Sequence, residues 1–293
     1  MDNKKEERKL NIVIVGTGLI GCSIADGLKD LTEEITGVDN NAGHLQEALY
    51  RGLIRRGLPL EKAVSNADVV IITVPVDATI RLLPRILDDI GEQAVVIDAG
   101  SVKAAICKVV EYHPKRQQFV AAHPMAGLAV SGPEAADAHL FLNRKVIICE
   151  KEKSSAPALS LASSIFEKLG MSLLYMTPDL HDTCVAQVSH LPQVIAYGLS
   201  ALTAERKGDN EFLTKVAATG FESSTRLASS PADMWIPIIQ LNNEKISGSL
   251  DDMITSLSEI RNMIKLGKWD ALAGFIGKAN KAREEFMNDY KQK

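Results

Sequence analysis

The clearest chemical motif of the chain is GTGLIG at Gly16–Gly21, which fits the pattern G-x-G-x-x-G. It directly follows the apolar run 11–15, which predicts a strand, and it opens a predicted helix at 19–28. Asp39 ends the next predicted strand, 18 residues after Gly21. Such a motif between a strand and a helix, with an acidic residue about 20 positions further on, is typical of dinucleotide binding.

Each glycine has its own role in this interpretation. Gly16 makes the tight turn, Gly18 leaves room for a pyrophosphate beside the backbone, and Gly21 lets the helix pack against the strand. The first helical residues, Leu19 and Ile20, offer free N–H groups and the partial positive charge of a helix N-terminus. A glycine turn without a ligand is the alternative that the motif leaves open.

Asp39 indicates which dinucleotide would bind. A carboxylate at this position accepts hydrogen bonds from ribose hydroxyls and disfavours a 2′-phosphate. The next residues, Asn40 and Asn41, include no arginine that would neutralise such a phosphate. The sequence therefore favours NAD over NADP. FAD shares the glycine motif, but nothing else in the sequence points to it.

Two further loops follow predicted strands, at 73–75 and at 98–103. Ligands of parallel sheets lie over the carboxyl ends of the strands, so these loops should flank the nicotinamide half of the cofactor. The complete set of expected cofactor contacts is Gly16, Gly18, Leu19, Ile20, Gly21, Asp39, Val74, Pro75 and Ser101.

His123 is the candidate for proton transfer. It follows the apolar run 119–122, just past the end of the fifth predicted strand. A histidine, with an ordinary pKa of about 6.5, can take a proton near neutral pH. Removal of a hydride from an alcohol carbon needs such a partner for the hydroxyl proton. A structural turn histidine is the alternative.

Because the sequence has no H-E-x-x-H motif and no His–Cys pair, we predict no metal site.

Short apolar runs alternate with helical segments over the first 176 residues, a pattern that predicts a parallel sheet covered on both faces. Thr177–Asp179, with the sequence Thr-Pro-Asp, is a strong helix start, and the pattern from 178 to 287 is helical. The sequence thus predicts an α/β, Rossmann-like doubly wound sheet followed by an all-α domain. We place the NAD-binding domain at 1–176 and a helical substrate-binding and dimerisation domain at 177–293.

Composition restricts the partners. The 293 residues carry 33 Lys and Arg against 37 Asp and Glu, a net charge of −4, which excludes a generally basic nucleic-acid binder and gives no reason to expect a membrane partner. No apolar run reaches the roughly 18 residues of a membrane span, and the first ten residues have no apolar signal core. The four cysteines form no CxxC pair. We therefore expect a cytoplasmic protein.

One predicted helix has a heptad-like apolar seam with spacings of 4, 3, 4, 3 and 4. Its members are Ile246, Leu250, Met253, Leu257, Ile260 and Ile264. Such a seam fits a helix shared between two subunits, as in a homodimer, and equally a helix packed inside its own domain.

The ordered motifs together resemble the prephenate/arogenate dehydrogenase family of tyrosine biosynthesis. They are GTGLIG at 16–21, DVVIITVP at 68–75, DAGSVK at 98–103, HPMAG at 123–127, HD at 181–182, SHLPQ at 189–193 and GFESSTRLASSPADMW at 220–235. The resemblance implies an NAD(P)-dependent oxidoreductase that takes a hydride from the C4 alcohol of a cyclohexadienol, whose ring then loses carbon dioxide and becomes aromatic. Prephenate would give 4-hydroxyphenylpyruvate. We expect neither a regulatory domain nor a chorismate mutase domain.

The resemblance also implies roles for single residues. His123 matches the histidine that assists deprotonation of the C4 hydroxyl, and Ser101 matches a serine that helps to hold it. His190 matches a histidine that contacts the substrate, and Arg226 matches the arginine that binds a substrate carboxylate. Gln193, three residues after His190, lies on the same helix face and completes the expected substrate site.

Two positions depart from the family pattern: Gln193, where a histidine is common, and Glu222, where an arginine is common. They leave prephenate and arogenate open as substrates. The His181–Asp182 pair is about half a helical turn out of phase with His190, and we interpret it as helix-start structure. A β-hydroxyacid-type dehydrogenase and a non-enzymatic NAD sensor are the remaining alternatives.

Overall fold

A computed structural model describes residues 9–128, 130–208 and 212–291. Its centre is an eight-stranded sheet with the order β3-β2-β1-β4-β5-β6-β7-β8, in which all neighbours are parallel except the antiparallel pair β6 and β7. The strands are β1 Leu10–Val15, β2 Thr32–Val38, β3 Arg56–Gly57, β4 Val69–Ile72, β5 Val95–Asp98, β6 Phe119–Pro124, β7 Lys145–Cys149 and β8 Ser172–Met176. The predicted fold class is confirmed.

Helices connect the strands and form all the regular structure described after Met176. They are α1 Leu19–Gly27, α2 Ala42–Tyr50, α3 Leu60–Val64, α4 Val76–Asp89, α5 Ala104–Val109, α6 Ala156–Lys168, α7 Pro178–Val185, α8 Leu191–Lys207, α9 Leu213–Val216, α10 Thr219–Thr225, α11 Ala232–Leu241, α12 Asn243–Lys265 and α13 Trp269–Lys291. No helix in the described ranges is long and apolar enough to cross a membrane.

Alternation along the buried strands supplies two apolar layers, one on each face of the sheet. In β1, Ile12 and Ile14 join one layer, and Val13 and Val15 join the other. Successive side chains of a strand point to opposite faces, so a strand that is apolar throughout must be covered on both sides. Phe166 of α6 packs into the first layer.

The apolar run 145–149 was predicted as a strand, but its antiparallel orientation as β7 was not, because the sequence pattern indicated a parallel sheet. The connection from β6 to β7 holds only the short 3₁₀ turn Pro133–Ala135 among its described residues, whereas a parallel crossover usually needs a full helix. Pairing with β7 also lengthens β6, because His123 lies opposite Ile147. His123 therefore lies inside the strand rather than just past its end, which corrects the sequence-based placement.

The helical part begins as predicted. Thr177 caps α7, since its hydroxyl oxygen accepts a hydrogen bond from the Leu180 N–H at 3.3 Å, and Pro178 is the first helical residue. A π-turn at Ala186–His190 joins α7 to α8. The insertion of a wider turn changes the direction in which side chains before and after it point.

The described residues divide into two compact units, of which the first ends at Asn242 and the second begins at Asn243. The second unit consists of α12 and α13, which pack against each other across a turn at Gly267, whose φ of +63° is the left-handed conformation that favours glycine. Residues 177–242 belong to the first unit, so the division at 176/177 stays a prediction.

Candidate active site

The glycine loop between β1 and α1 has the geometry that close packing demands. Gly16 has a φ of +103°, and a Cβ there would lie 2.9 Å from the carbonyl carbon of Thr73. A Cβ on Gly21 would lie 2.0 Å from the carbonyl oxygen of Gly16. In contrast, a Cβ on Gly18 would meet nothing within 4 Å, so the loop is open at this position.

Asp39 follows β2 and faces the glycine loop. Its Oδ2 accepts hydrogen bonds from the backbone N–H of Thr17 at 2.7 Å and from the Thr17 hydroxyl at 2.9 Å, and its Oδ1 accepts from the N–H of Asn41 at 2.8 Å. A carboxylate offers about four acceptor sites, so this one can still accept a further bond while it fixes the loop. The hydroxyl of Thr73 donates to the Gly16 carbonyl at 2.7 Å, which ties the loop after β4 to the same edge.

His123 contacts a second imidazole. Its Nδ1 lies 2.8 Å from Nε2 of His181, and the two rings meet edge to face with centroids 5.0 Å apart. On its other side, Nδ1 of His181 lies 2.7 Å from Oδ1 of Asp182. The three side chains are buried and form one chain of hydrogen bonds.

Asp182 holds this chain to the sheet domain. Its carboxylate accepts from the backbone N–H of Lys103 at 2.7 Å and of Ala104 at 2.9 Å, where α5 begins. Its backbone carbonyl accepts from Nδ2 of Asn242 at 2.8 Å. The sequence interpretation of His181 and Asp182 gave them a role only in the start of α7, and thereby missed their contact with His123.

A fully buried ion pair supports the strand that carries His123. Nζ of Lys103 donates to Oδ2 of Asp98 and, at 2.5 Å, to the carbonyl oxygen of Ala122. Oδ1 of Asp98 accepts from the Ala122 N–H at 3.2 Å, and Oδ2 from the N–H of Gly100 at 2.9 Å. These bonds also position Ser101, which is partly exposed in the loop after β5.

His190 and Gln193 are both almost fully buried near this cluster. Nδ1 of His190 lies 3.3 Å from Nδ2 of Asn242, the residue that also binds Asp182, and its ring packs edge to face on Trp235 at 5.8 Å. Nε2 of Gln193 donates to the carbonyl of Leu227 at 2.6 Å.

Arg226 is exposed at the start of the 3₁₀ turn Arg226–Ser229. The hydrogen bond from Gln193 to its neighbour Leu227 connects this turn with α8. The structure thus brings the Arg226 segment beside α8, but it assigns no contact between the guanidinium and the histidines. Glu222 is likewise exposed, in α10.

Burial controls the charges of the three histidines. It holds the pKa of His123 well below the ordinary value, and nearby His181, Lys103 and His190 act in the same direction. Burial also lowers the pKa of His181, although Asp182 opposes this shift, and it lowers the pKa of His190 to about 4. For Asp182, burial acts to raise the pKa, but hydrogen bonds from His181, Lys103 and Ala104 lower it overall. The cluster at neutral pH is therefore three neutral imidazoles beside one carboxylate.

Comparison with known proteins identifies the family. A model described as "Prephenate dehydrogenase, nucleotide-binding domain" matches residues 24–175, and one described as "Prephenate dehydrogenase, dimerization domain" matches residues 177–278. The chain belongs to the prephenate dehydrogenase family. The predicted resemblance is confirmed.

Individual members of the prephenate dehydrogenase family agree with this assignment. Prephenate dehydrogenase of Bacillus subtilis is 32% identical over 267 residues, which cover 88% of this chain and 71% of the relative. Cyclohexadienyl dehydrogenase of Zymomonas mobilis is 28% identical over 285 residues, 96% of this chain and 97% of the relative. The crystal structure of A. aeolicus prephenate dehydrogenase with hydroxyphenyl propionate and NAD⁺ has a TM-score of 0.86 at 28% identity, covering 96% of this chain and all of that one.

The buried histidines predict a loss of stability in mild acid. The unfolded chain binds protons below about pH 6.5, whereas His190 in the folded protein stays neutral down to about pH 4. The free energy of unfolding should therefore fall as the pH drops through this window, by up to about 1.4 kcal/mol per pH unit for each such histidine. Urea unfolding measured between pH 7 and pH 5 gives the slope.

Replacement of single histidines checks this origin. His190→Asn should reduce the pH dependence of the free energy of unfolding by an amount that corresponds to about one proton taken up on unfolding. His139→Asn is the control, because His139 is exposed and lies outside the buried cluster. An equal slope in wild type and His190→Asn would contradict the assignment.

Proposed function

We propose that this protein is an NAD-dependent prephenate dehydrogenase, which converts prephenate to 4-hydroxyphenylpyruvate and carbon dioxide in tyrosine biosynthesis. The observation that carries the proposal is a neutral, buried imidazole, His123, on the same sheet edge as an open glycine loop. Membership of the family supports the reaction class, and the NAD⁺ complex of the A. aeolicus relative supports the cofactor.

The residues of the loop fit a dinucleotide. Gly18 leaves space for a phosphate, and the N-terminus of α1 has no side-chain cap, which leaves its N–H groups for an anion. Asp39 retains acceptor capacity for ribose hydroxyls. When bound, NAD⁺ supplies the site that accepts the hydride. We propose the contacts Gly16, Gly18, Leu19, Ile20, Gly21, Asp39, Val74, Pro75 and Ser101.

His123 takes the proton in this mechanism. Loss of the hydride leaves positive character on the C4 carbon, and a base that removes the hydroxyl proton lets the carbonyl form. An imidazole whose pKa lies well below neutrality is in the basic form throughout the physiological range. Ser101, in the neighbouring loop, would help to hold the hydroxyl.

The substrate is a dianion, and we propose that Arg226 binds one of its carboxylates. A guanidinium stays charged at all relevant pH values and can form two parallel hydrogen bonds to a carboxylate. His190, with a pKa of about 4, would contribute a neutral hydrogen bond, and Gln193 would orient the Arg226 segment through Leu227. Under this proposal residues 1–176 bind the cofactor, and residues 177–293 bind substrate and form the dimer.

Arogenate is the second candidate substrate. The Zymomonas relative is named a cyclohexadienyl dehydrogenase, and Glu222 lies four residues before Arg226 in the segment proposed to bind the substrate. A carboxylate there suits the ammonium group of arogenate better than the neutral keto group that prephenate has at the same position. The rate of NADH formation with prephenate and with arogenate, each with NAD⁺ and NADP⁺, separates the candidates. Absence of turnover with both substrates would reject the proposal.

We also propose a homodimer through the second compact unit. Exposed apolar side chains on its two helices include Ile254, Leu257, Ile264, Trp269 and Ile276. Such a patch marks an interaction surface, and the family model for this region is that of a dimerization domain.

We propose a cytoplasmic location, since buried free thiols such as Cys22, Cys107 and Cys149 suit a reducing compartment.

Replacement of His123 should lower kcat far more than it changes KM. His123→Asn removes the proton acceptor, and the expected loss is about 10²- to 10⁴-fold. NADH absorbance under saturating substrate measures it, and NAD⁺ binding should be unchanged. An unaltered kcat would remove His123 from the mechanism.

Replacement of Arg226 should act mainly on substrate binding. Arg226→Ala is expected to raise KM for prephenate by about tenfold or more, because a charged hydrogen bond contributes about 1.5–3 kcal/mol. Arg81→Ala, at an exposed arginine of α4 paired with Asp77, serves as control. An unchanged KM would place Arg226 outside the substrate site.

Charges in the apolar seam of α12 should dissociate the dimer. The double variant Leu250→Glu with Leu257→Glu is expected to be monomeric, because each glutamate would be buried without a partner. Light scattering gives the mass. Asn262→Glu, an exposed position of the same helix, is expected to stay dimeric. A folded monomer in the wild type would contradict the proposal.

A further inference from the structure

We propose that His181 and Asp182 are positioning residues, which fix His123 in the tautomer that leaves Nε2 free as the base. This inference rests on the proposed oxidation of prephenate and deepens it. It is carried by the continuous contact from Asp182 Oδ1 to His181 Nδ1 at 2.7 Å and from His181 Nε2 to His123 Nδ1 at 2.8 Å.

The protons of this chain follow from its carboxylate end. Asp182 accepts hydrogen bonds from two backbone N–H groups, and as a carboxylate it has no proton to donate, so its oxygens act only as acceptors. Nδ1 of His181 must then carry a proton. Since a neutral imidazole has one N–H, Nε2 of His181 is an unprotonated acceptor.

The same reasoning continues to His123. Nδ1 of His123 faces an acceptor and must donate, so Nε2 holds the lone pair. Among the described residues Nδ1 has the only hydrogen bond of this ring, to His181. A neutral His123 of the opposite tautomer would place two lone pairs against each other across 2.8 Å, with no proton between them.

The chain is rigid as well as directional. His181 is fully buried and Asp182 is nearly so. Asp182 is held from three sides, by His181, by the start of α5 and through Asn242. When Nε2 of His123 takes the hydroxyl proton, the Nδ1–H bond to His181 remains, and the Asp182 charge lies beyond it to stabilise the imidazolium.

Two substitutions of one residue separate positioning from packing. His181→Gln keeps a side-chain oxygen that can accept the Nδ1–H of His123, whereas His181→Leu offers no acceptor. We expect kcat to fall about 10²-fold or more in His181→Leu and about tenfold in His181→Gln, with KM for prephenate and NAD⁺ affinity little changed in both. His139→Gln, at an exposed histidine beside Asp137, is the matched control and should retain full activity.

A purely structural role would give a different order. Leucine fills the buried volume with an apolar group, so a packing role predicts that His181→Leu is at least as stable and active as His181→Gln. That result would overturn the inference.

The tautomer itself can be observed without turnover. In protein labelled with ¹⁵N at histidine, the nitrogen chemical shifts of wild-type His123 should report Nδ1 protonated and Nε2 bare, and His181→Leu should give a mixture. A protonated Nε2 in the neutral wild type would reject the inference. If wild type shows the expected tautomer but does not oxidise prephenate, the proposed function fails and the positioning assignment stands.

Discussion

The carboxylate of Asp182 is the junction on which the candidate active site depends. It comes from the first helix after the sheet, yet two of its hydrogen-bond donors are backbone N–H groups at the start of α5. The third donor is His181, which contacts the imidazole on β6. One side chain therefore sets the distance between the sheet and the helices and the orientation of the histidines. A buried anion with three donors is well satisfied, which explains why its pKa falls despite burial.

The electrostatics of the cluster follow from the burial of its side chains. Desolvation disfavours a charged imidazole, so His123, His181 and His190 are neutral, and the nearby Lys103 adds to this effect at His123 and His181. The cationic Lys103 is itself paired with Asp98 and is fully buried. Such a pair contributes little net stability, because desolvation offsets its attraction. Its geometric effect is larger, since it defines the loop that carries Ser101.

Much of this arrangement could be predicted from the sequence. The glycine loop, Asp39 and the helix start at Thr177 are determined by residue types at short separations in the sequence, and such patterns can be recognised without the structure. The contact of His181 with His123 depends on the packing of two segments that are distant in the sequence. In addition, the sequence argument compared His181 with His190 on a regular α-helix, whereas a π-helical turn at Ala186–His190 interrupts the α-helical period between them. The burial of Lys103 had no signal either, because a lysine beside a strand end is ordinarily solvated. The short strand β3 and the antiparallel orientation of β7 likewise depend on tertiary pairing.

β6 extends past its neighbour β5, whose last residue in the ladder is Asp98, opposite Ala121. At the next position the backbone of Ala122 is bound by side chains instead of by a neighbouring strand. Its N–H donates to the carboxylate of Asp98, and its carbonyl oxygen accepts from Nζ of Lys103. The peptide before the proposed base is thus anchored on one edge by this ion pair, while β7 secures the other edge. The backbone of β6 is thus held on both sides, and the ring of His123 is held by its hydrogen bond to His181, so the side chain of His123 has little freedom to rotate. The conformational entropy of the His123 side chain is therefore lost when the chain folds, and it does not have to be lost again in each catalytic cycle.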